Sequence, residues 1–226
     1  MPVYQLGKEL WFPPEEEYDE HGVVAIEGDL STDRLLLAYS SGIFPWYNED
    51  EPIMWWCPEK RMVLKPSEVK VSKSSRNLLN RNLFKVTFDT AFEEVIEACQ
   101  NTPRKDQDGT WLNDEMKAAY IELHRLGHCH SVECWQDDKL VGGLYGTAVG
   151  KIFCGDSMFS RVSNASKIAF ITLARKLEEL DFILIDCQVY NDYLASLGAY
   201  EIPRKEFLEI VRGNILTKGY KFDESQ

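Results

Sequence analysis

Phe182-Ile-Leu-Ile-Asp-Cys-Gln-Val189 follows directly on a helical pattern that runs from Asn164 to Leu180, and this junction decides the fold. Alternation with period two puts Phe182, Leu184, Asp186 and Gln188 on one face of a strand and Ile183, Ile185, Cys187 and Val189 on the other. The helix before it carries Phe170, Leu173, Ala174 and Leu177 on one stripe. Strand patterns precede that helix at about 129–135, 139–146 and 150–158, the first two joined by the hairpin-type turn Gln136-Asp-Asp-Lys139. Further upstream, Phe84–Phe88 alternates as a strand. Thr90 and Glu93 have capping-box spacing for a helix to about Cys99. A second helix is expected from about Asp114 to Leu126, stopped by Gly127. After the central strand, a short helix ends at Gly198, and another opens at Pro203 and stops at Gly213.

The order from residue 84 is therefore β-α-α-β-β-β-α-β-α. That succession is the one an acyl-CoA N-acetyltransferase fold would give, a mixed sheet with helices on both faces. The first 60 residues are different: irregular, aromatic-rich, with one helix capped by Ser31 and ended by Gly42. Trp46, Trp55 and Trp56 fall between prolines there, which fits either a small core or interface or a base-stacking platform.

Composition bounds the function. With 226 residues, 44% hydrophobic and 27% charged, the chain can bury a real core. The longest run without Asp, Glu, Lys or Arg, Leu35–Asn48, contains Gly42 and Pro45, so no membrane helix is expected. No basic segment leads an apolar run at the start, and no secretory signal is expected. Six cysteines without a Cys-x-x-Cys pair suit a reducing compartment. The net charge is −12, yet the window from Glu59 to Lys85 is +6, leaving −18 elsewhere. That basic window is either a phosphate-binding face or a solvated surface.

Two segments carry candidate chemistry. Asp186 and Gln188, two apart on one strand face, can hydrogen-bond one substrate group; a polar strand end is the plain alternative. Asp156 follows Gly155, whose bare Cα admits another backbone. Beyond it, Arg161-Val-Ser-Asn-Ala-Ser166 lacks the glycines that a coenzyme A pyrophosphate turn needs. His124, His128, Cys129, His130 and Cys134 match no closed metal spacing and are expected to be satisfied strand histidines and thiols. Asp106-Gln-Asp-Gly109 fails as a calcium loop because Arg104 would take the first ligand position. No metal and no cofactor is expected.

Gly28-Asp-Leu-Ser31, Gly42-Ile-Phe-Pro-Trp46, Trp55-Trp56, Gly109-Thr-Trp111, Ser157-Met-Phe-Ser-Arg161, Asn164-Ala-Ser-Lys167, Leu184-Ile-Asp-Cys-Gln188, Ser196-Leu-Gly-Ala199 and Glu201-Ile-Pro-Arg204 together resemble the leucyl/phenylalanyl-tRNA–protein transferase family. The resemblance covers about 25–208 with the blocks in the family's order. It implies an α+β protein: a small N-terminal α/β domain, expected over 1–62, and an acetyltransferase-like (GNAT-like) mixed-sheet catalytic domain over 63–226. It implies a cytoplasmic, monomeric enzyme that moves leucine or phenylalanine from charged tRNA to proteins beginning with Arg or Lys, marking them for N-degron proteolysis. Asp186 and Gln188 would orient or deprotonate the acceptor amine. Asp156, with Gly155 and Asn191, would contact the acceptor; Asp156 stands where the family often has Glu. Leu144, Phe153, Met158, Phe170, Leu173 and Ile185 would form the donor side-chain pocket. Trp46 and Trp111 would stack on the terminal adenosine, and Lys73, Arg76 and Lys85 would meet acceptor-stem phosphates. The competing expectations are an acyl-CoA-dependent N-acyltransferase, a leucyl transferase for N-terminal Asp or Glu, and a tRNA-binding module without catalysis.

Overall fold

A computed structural model describes residues 3–102 and 112–214. In chain order the first elements are β1 (Tyr4–Leu6), β2 (Val23–Glu27), α1 (Thr32–Ser40), β3 (Phe44–Pro45) and β4 (Met54–Trp56). They form a four-stranded sheet in the order β1-β2-β4-β3, with only β1 and β2 parallel. None of its strands exceeds five residues, too short for a periodic signal, so the region reads as irregular from sequence. Trp55 is fully buried in its core and donates its indole N–H to the Glu27 carbonyl at 2.9 Å.

The chain continues through β5 (Lys60–Leu64), α2 (Lys73–Asn80), β6 (Lys85–Phe88), α3 (Phe92–Gln100), α4 (Asp114–Arg125), β7 (Cys129–Gln136), β8 (Lys139–Val149), β9 (Ile152–Ser160), α5 (Ala165–Glu179), β10 (Leu184–Gln188), α6 (Asp192–Ser196), β11 (Tyr200–Pro203) and α7 (Arg204–Asn214). Seven strands make the second sheet, in the order β11-β5-β10-β9-β8-β7-β6. Only the β9–β10 pair is parallel, with α5 as its crossover. The fold is the expected acetyltransferase-like mixed α/β arrangement. The division expected at 62/63 falls inside β5, which pairs with β10 and β11 of this sheet.

Alternation sorts the core into two layers. Leu144, Phe153 and Ile185 pack with Phe170, Leu173 and Leu177 of α5 on one face. Tyr145, Ile152, Cys154 and Leu184 pack on the other face with residues of α3, α4 and α7, in a layer that runs on into the small sheet. Gly42 joins the two parts: it passes against Leu208 and Phe207 of α7 at φ +73°, a backbone conformation that favours glycine. The expected capping box is absent. Ala91 is the N-cap of α3, and the Thr90 hydroxyl instead donates to buried Glu133 at 2.8 Å, because an uncompensated buried carboxylate costs more than a surface cap gains.

Candidate active site

The parallel pairing of β9 and β10 stops at Cys154 and Asp186. Beyond that point the strands part, and the gap opens a cleft of about 580 Å³. Residues of both core layers reach it, Phe44 and Tyr145 from one and Leu144, Phe153 and Ile185 from the other. Leu144, Phe153, Met158, Phe170, Leu173 and Ile185 line one part, and all six were expected there. Gly155, Asp156, Gln188, Asn191 and Trp46 also line the cleft. The Asn191 side-chain oxygen is already engaged, capping α6 through the Leu194 N–H at 3.1 Å.

Two bulges aim the polar groups. On β9, Tyr145 faces Ser157 and Gly146 faces Gly155, so Asp156 is the extra residue. Its Oδ1 accepts from the Tyr39 hydroxyl at 2.6 Å and from the Gln188 side-chain amide at 3.2 Å, and its Oδ2 from Thr147 at 2.9 Å. The Tyr39 and Tyr120 hydroxyls lie 2.6 Å apart. Burial holds both phenols well above their usual pKa, so Tyr39 keeps its proton and donates. Burial pushes the Asp156 carboxyl up to about 7; the hydrogen bonds from Tyr39 and Thr147 pull it down, and the charge of Asp186 adds to the rise.

On β10, Asp186 faces Val63 and Gln188 faces Met62, which leaves Cys187 as the extra residue. Gln188 has φ +64°, the left-handed region, and its amide reaches toward Asp156. Asp186 turns the other way. Both its oxygens are held by Arg61 of β5, Nε to Oδ1 at 2.7 Å and Nη2 to Oδ2 at 2.6 Å, and neither side chain is more than 1% exposed. This corrects the expectation of a carboxylate and an amide presented side by side. Asp186 is outside the lining of the cleft, because a fork of two charge-assisted bonds to a buried guanidinium outweighs an exposed position. Among the described residues, Asp156 is the only carboxylate that lines the cleft.

The remaining expected residues divide. Trp46 lies at the cleft 5.9 Å from Trp56, tilted by 56°. Trp111 lies outside the described residues, as does Asp106-Gln-Asp-Gly109. Lys73 and Arg76 are exposed on α2 and line a separate shallow depression with Asn77 and Asn80. Lys85 is exposed at the start of β6, the opposite edge strand from β11. Among the described residues, no group of three or more His, Cys, Asp or Glu side chains could hold a metal. His124 stacks on Phe92 at 4.1 Å, and His130 bonds Asp89 at 2.8 Å.

Sequence reasoning missed Tyr39, Thr147 and Phe44 at the site and Arg61 behind it. Arg61 sits 125 residues from its partner, and nothing local marks it off from the other basic residues of its window. Phe44 lay in the aromatic run already singled out.

Residues 63–212 match the family model described as leucyl/phenylalanyl-tRNA protein transferase, and residues 28–59 match the model of its N-terminal domain. The leucyl/phenylalanyl-tRNA–protein transferase of Flavobacterium johnsoniae is 57% identical over 93% of this chain and 99% of its own length. That of Syntrophobacter fumaroxidans is 51% identical over 95% and 92%. The solved structure of FemX aligns with TM-score 0.52 at 11% identity, over 80% of this chain and 71% of its own, a likeness of fold. Family models and relatives of that identity span nearly the whole chain, and the chain therefore belongs to the leucyl/phenylalanyl-tRNA–protein transferase family, enzymes that transfer an amino acid from aminoacyl-tRNA to protein.

Proposed function

We propose that this enzyme transfers leucine or phenylalanine from charged tRNA to the α-amine of proteins beginning with Arg or Lys, in the cytoplasm and as a monomer, marking them for N-degron proteolysis. The observation that carries the proposal is one carboxylate, Asp156, set beside an apolar pocket where β9 and β10 part. All six thiols are free, in keeping with a reducing compartment. We take the residues before β5 as the small accessory part and those from β5 onward as the catalytic part.

Leu144, Phe153, Met158, Phe170, Leu173 and Ile185 receive the donor side chain. An apolar wall separates side chains one methylene apart by only ~1–3 kcal/mol, so the depth of the pocket sets the preference. The donor is an ester already activated by its synthesis, so the enzyme has only to place the amine and move its protons. A free α-amine has a pKa of about 8 and is mostly protonated at neutral pH. Asp156, at about 7, is matched to accept that proton, and Gln188 holds the amine through its side-chain oxygen. Asp156 passes that first proton to solvent; the amine nitrogen bonds to the ester carbonyl carbon, Asp156 takes the second proton from that nitrogen, and it delivers this proton to the ribose oxygen as the carbon–oxygen bond breaks. Backbone N–H groups from Gly155 onward, beyond the β10 ladder, face the developing oxyanion. Trp46 stacks on the terminal adenine, and Lys73 and Arg76 meet the acceptor-stem phosphates.

The test mixes the protein with leucyl-tRNA carrying labelled leucine and peptides that begin with Arg, Lys, Asp or Ala. Label is expected in the Arg and Lys peptides. Label in the Asp peptide alone would assign the other acceptor class, and transfer from leucyl-coenzyme A would assign acyl-CoA chemistry.

A further inference from the structure

Arg61 touches no residue that faces the substrates through a polar contact, yet it controls the placement of one that does. Its guanidinium carbon lies over the rings of Phe44 and Phe207, 4.6 Å from each centroid, so that β3 and α7 both pack against it. The planar fork points one way, into both oxygens of Asp186. Asp186 Oδ1 also accepts the backbone N–H of Gln188 at 2.9 Å. That bond spans the bulge at Cys187, where Gln188 is held in the left-handed region. A non-glycine residue in that region costs about 1–2 kcal/mol and persists only where neighbours over-determine it. The Gln188 side-chain amide then donates to Asp156. One continuous set of contacts thus runs from a buried cation to the group that faces the cleft.

We infer that Arg61 is a positioning residue of the transfer reaction: by fixing Asp186 it locks the β10 bulge and so aims the Gln188 amide at Asp156. Asp186 is its intermediary and makes no contact with substrate. The inference deepens the transfer reaction proposed above and rests on it. A buried ion pair is an inefficient way to gain stability, since well-packed apolar residues of similar volume commonly match or exceed it. Its distinctive contribution here is geometric, because no apolar pair can accept the Gln188 N–H.

The apolar replacement supplies the experiment. Arg61→Met combined with Asp186→Leu removes both charges together and keeps the volume beside Phe44 and Phe207. Thermal unfolding is expected to change by no more than a few degrees. Single-turnover transfer from leucyl-tRNA to an Arg peptide is expected to slow roughly 100-fold, the scale of a misplaced reacting group, with KM for aminoacyl-tRNA nearly unchanged. Arg61→Lys is the second variant: it keeps Asp186 neutralised but replaces a two-point fork by a single ammonium. It is expected to fold and to lose about tenfold in kcat with KM again unchanged. A folded double variant, or Arg61→Lys where the double variant does not fold, with wild-type kcat would overturn the inference. Wild-type protein that transfers no amino acid would instead overturn the proposed reaction.

Discussion

Asp156 and Asp186 sit on neighbouring strands, the first within a β-bulge and the second beside one, and differ in what faces their oxygens. Asp186 meets a guanidinium at two points and is sealed from solvent on β5's side of the sheet. Asp156 meets only neutral donors, the hydroxyls of Tyr39 and Thr147 and the Gln188 amide, and borders the cleft. A carboxylate compensated by a full positive charge is fixed and committed. One compensated by dipoles alone keeps a proton near neutrality and can exchange it. Position along a strand does not assign the chemical role; the charge of the partner does.

The largest expected effect breaks that comparison at Asp156. Asp156→Asn keeps the shape and an acceptor for Tyr39 but removes the titrating group. Single-turnover transfer should fall roughly 10²–10⁴-fold. The limb of the pH–rate profile near 7 should vanish, leaving only the titration of the acceptor amine. A retained limb would return the proton transfer to another group. The same variant has a stability readout of defined sign. A carboxyl raised from 3.8 to about 7 in the folded state favours folding below the unfolded value, and that contribution is lost as pH rises through about 7. Asp156→Asn should therefore melt above wild type at about pH 8, by up to about 4 kcal/mol, and the gap should close toward pH 4.

The bulge that carries Asp156 gives a second, smaller test, through two glycines that face each other across it. A Cβ on Gly146 would lie 2.3 Å from the Cys154 carbonyl oxygen and 2.5 Å from the Phe153 ring. A Cβ on Gly155 would meet only the Asp186 carbonyl oxygen, at 3.7 Å. Gly146→Ala should destabilise by about 2–3 kcal/mol in a denaturant titration, because backbone cannot yield to it. Gly155→Ala should unfold as wild type does and slow transfer, since its methyl projects beside the site. Equal stability losses would mean that the two sides of the bulge are equally packed.

The large sheet was legible because it rests on periodicity, whereas the pocket was named through the family resemblance. Leu144, Phe153, Phe170, Leu173 and Ile185 fall on alternating or helical positions, and packing obeys those periods. Asp186 and Gln188 were found but not told apart. The bulge at Cys187 and the left-handed turn at Gln188 depend on Arg61 and Met62, distant in sequence, and a non-glycine at positive φ has no local signature. Strand β11 was hidden for a similar reason: Tyr200–Pro203 pairs with Lys60–Val63, and four residues ending in proline read as a connection. Helix α2 was hidden by its composition, since Lys-Ser-Ser-Arg-Asn-Leu-Leu-Asn has too few apolar positions to mark a face.

The smallest expected effect extends the contrast between committed and available charge to the basic window. Of its eight cations, Arg61 is consumed by Asp186 and Lys65 lies 3.3 Å from Glu68, whereas Lys73 and Arg76 are exposed on α2. Only cations that displace counterions from phosphate contribute to the salt dependence of tRNA binding. Lys73→Gln and Arg76→Gln should each reduce the slope of log affinity against log salt by about 0.7–1 and weaken binding by a few-fold at physiological salt. Arg61→Lys should leave the slope where it is, since a buried, paired charge releases no counterion. A slope that fell in Arg61→Lys and held in the α2 variants would mean that the ion pair opens when tRNA binds, and that the phosphate contact lies at the cleft instead of on α2.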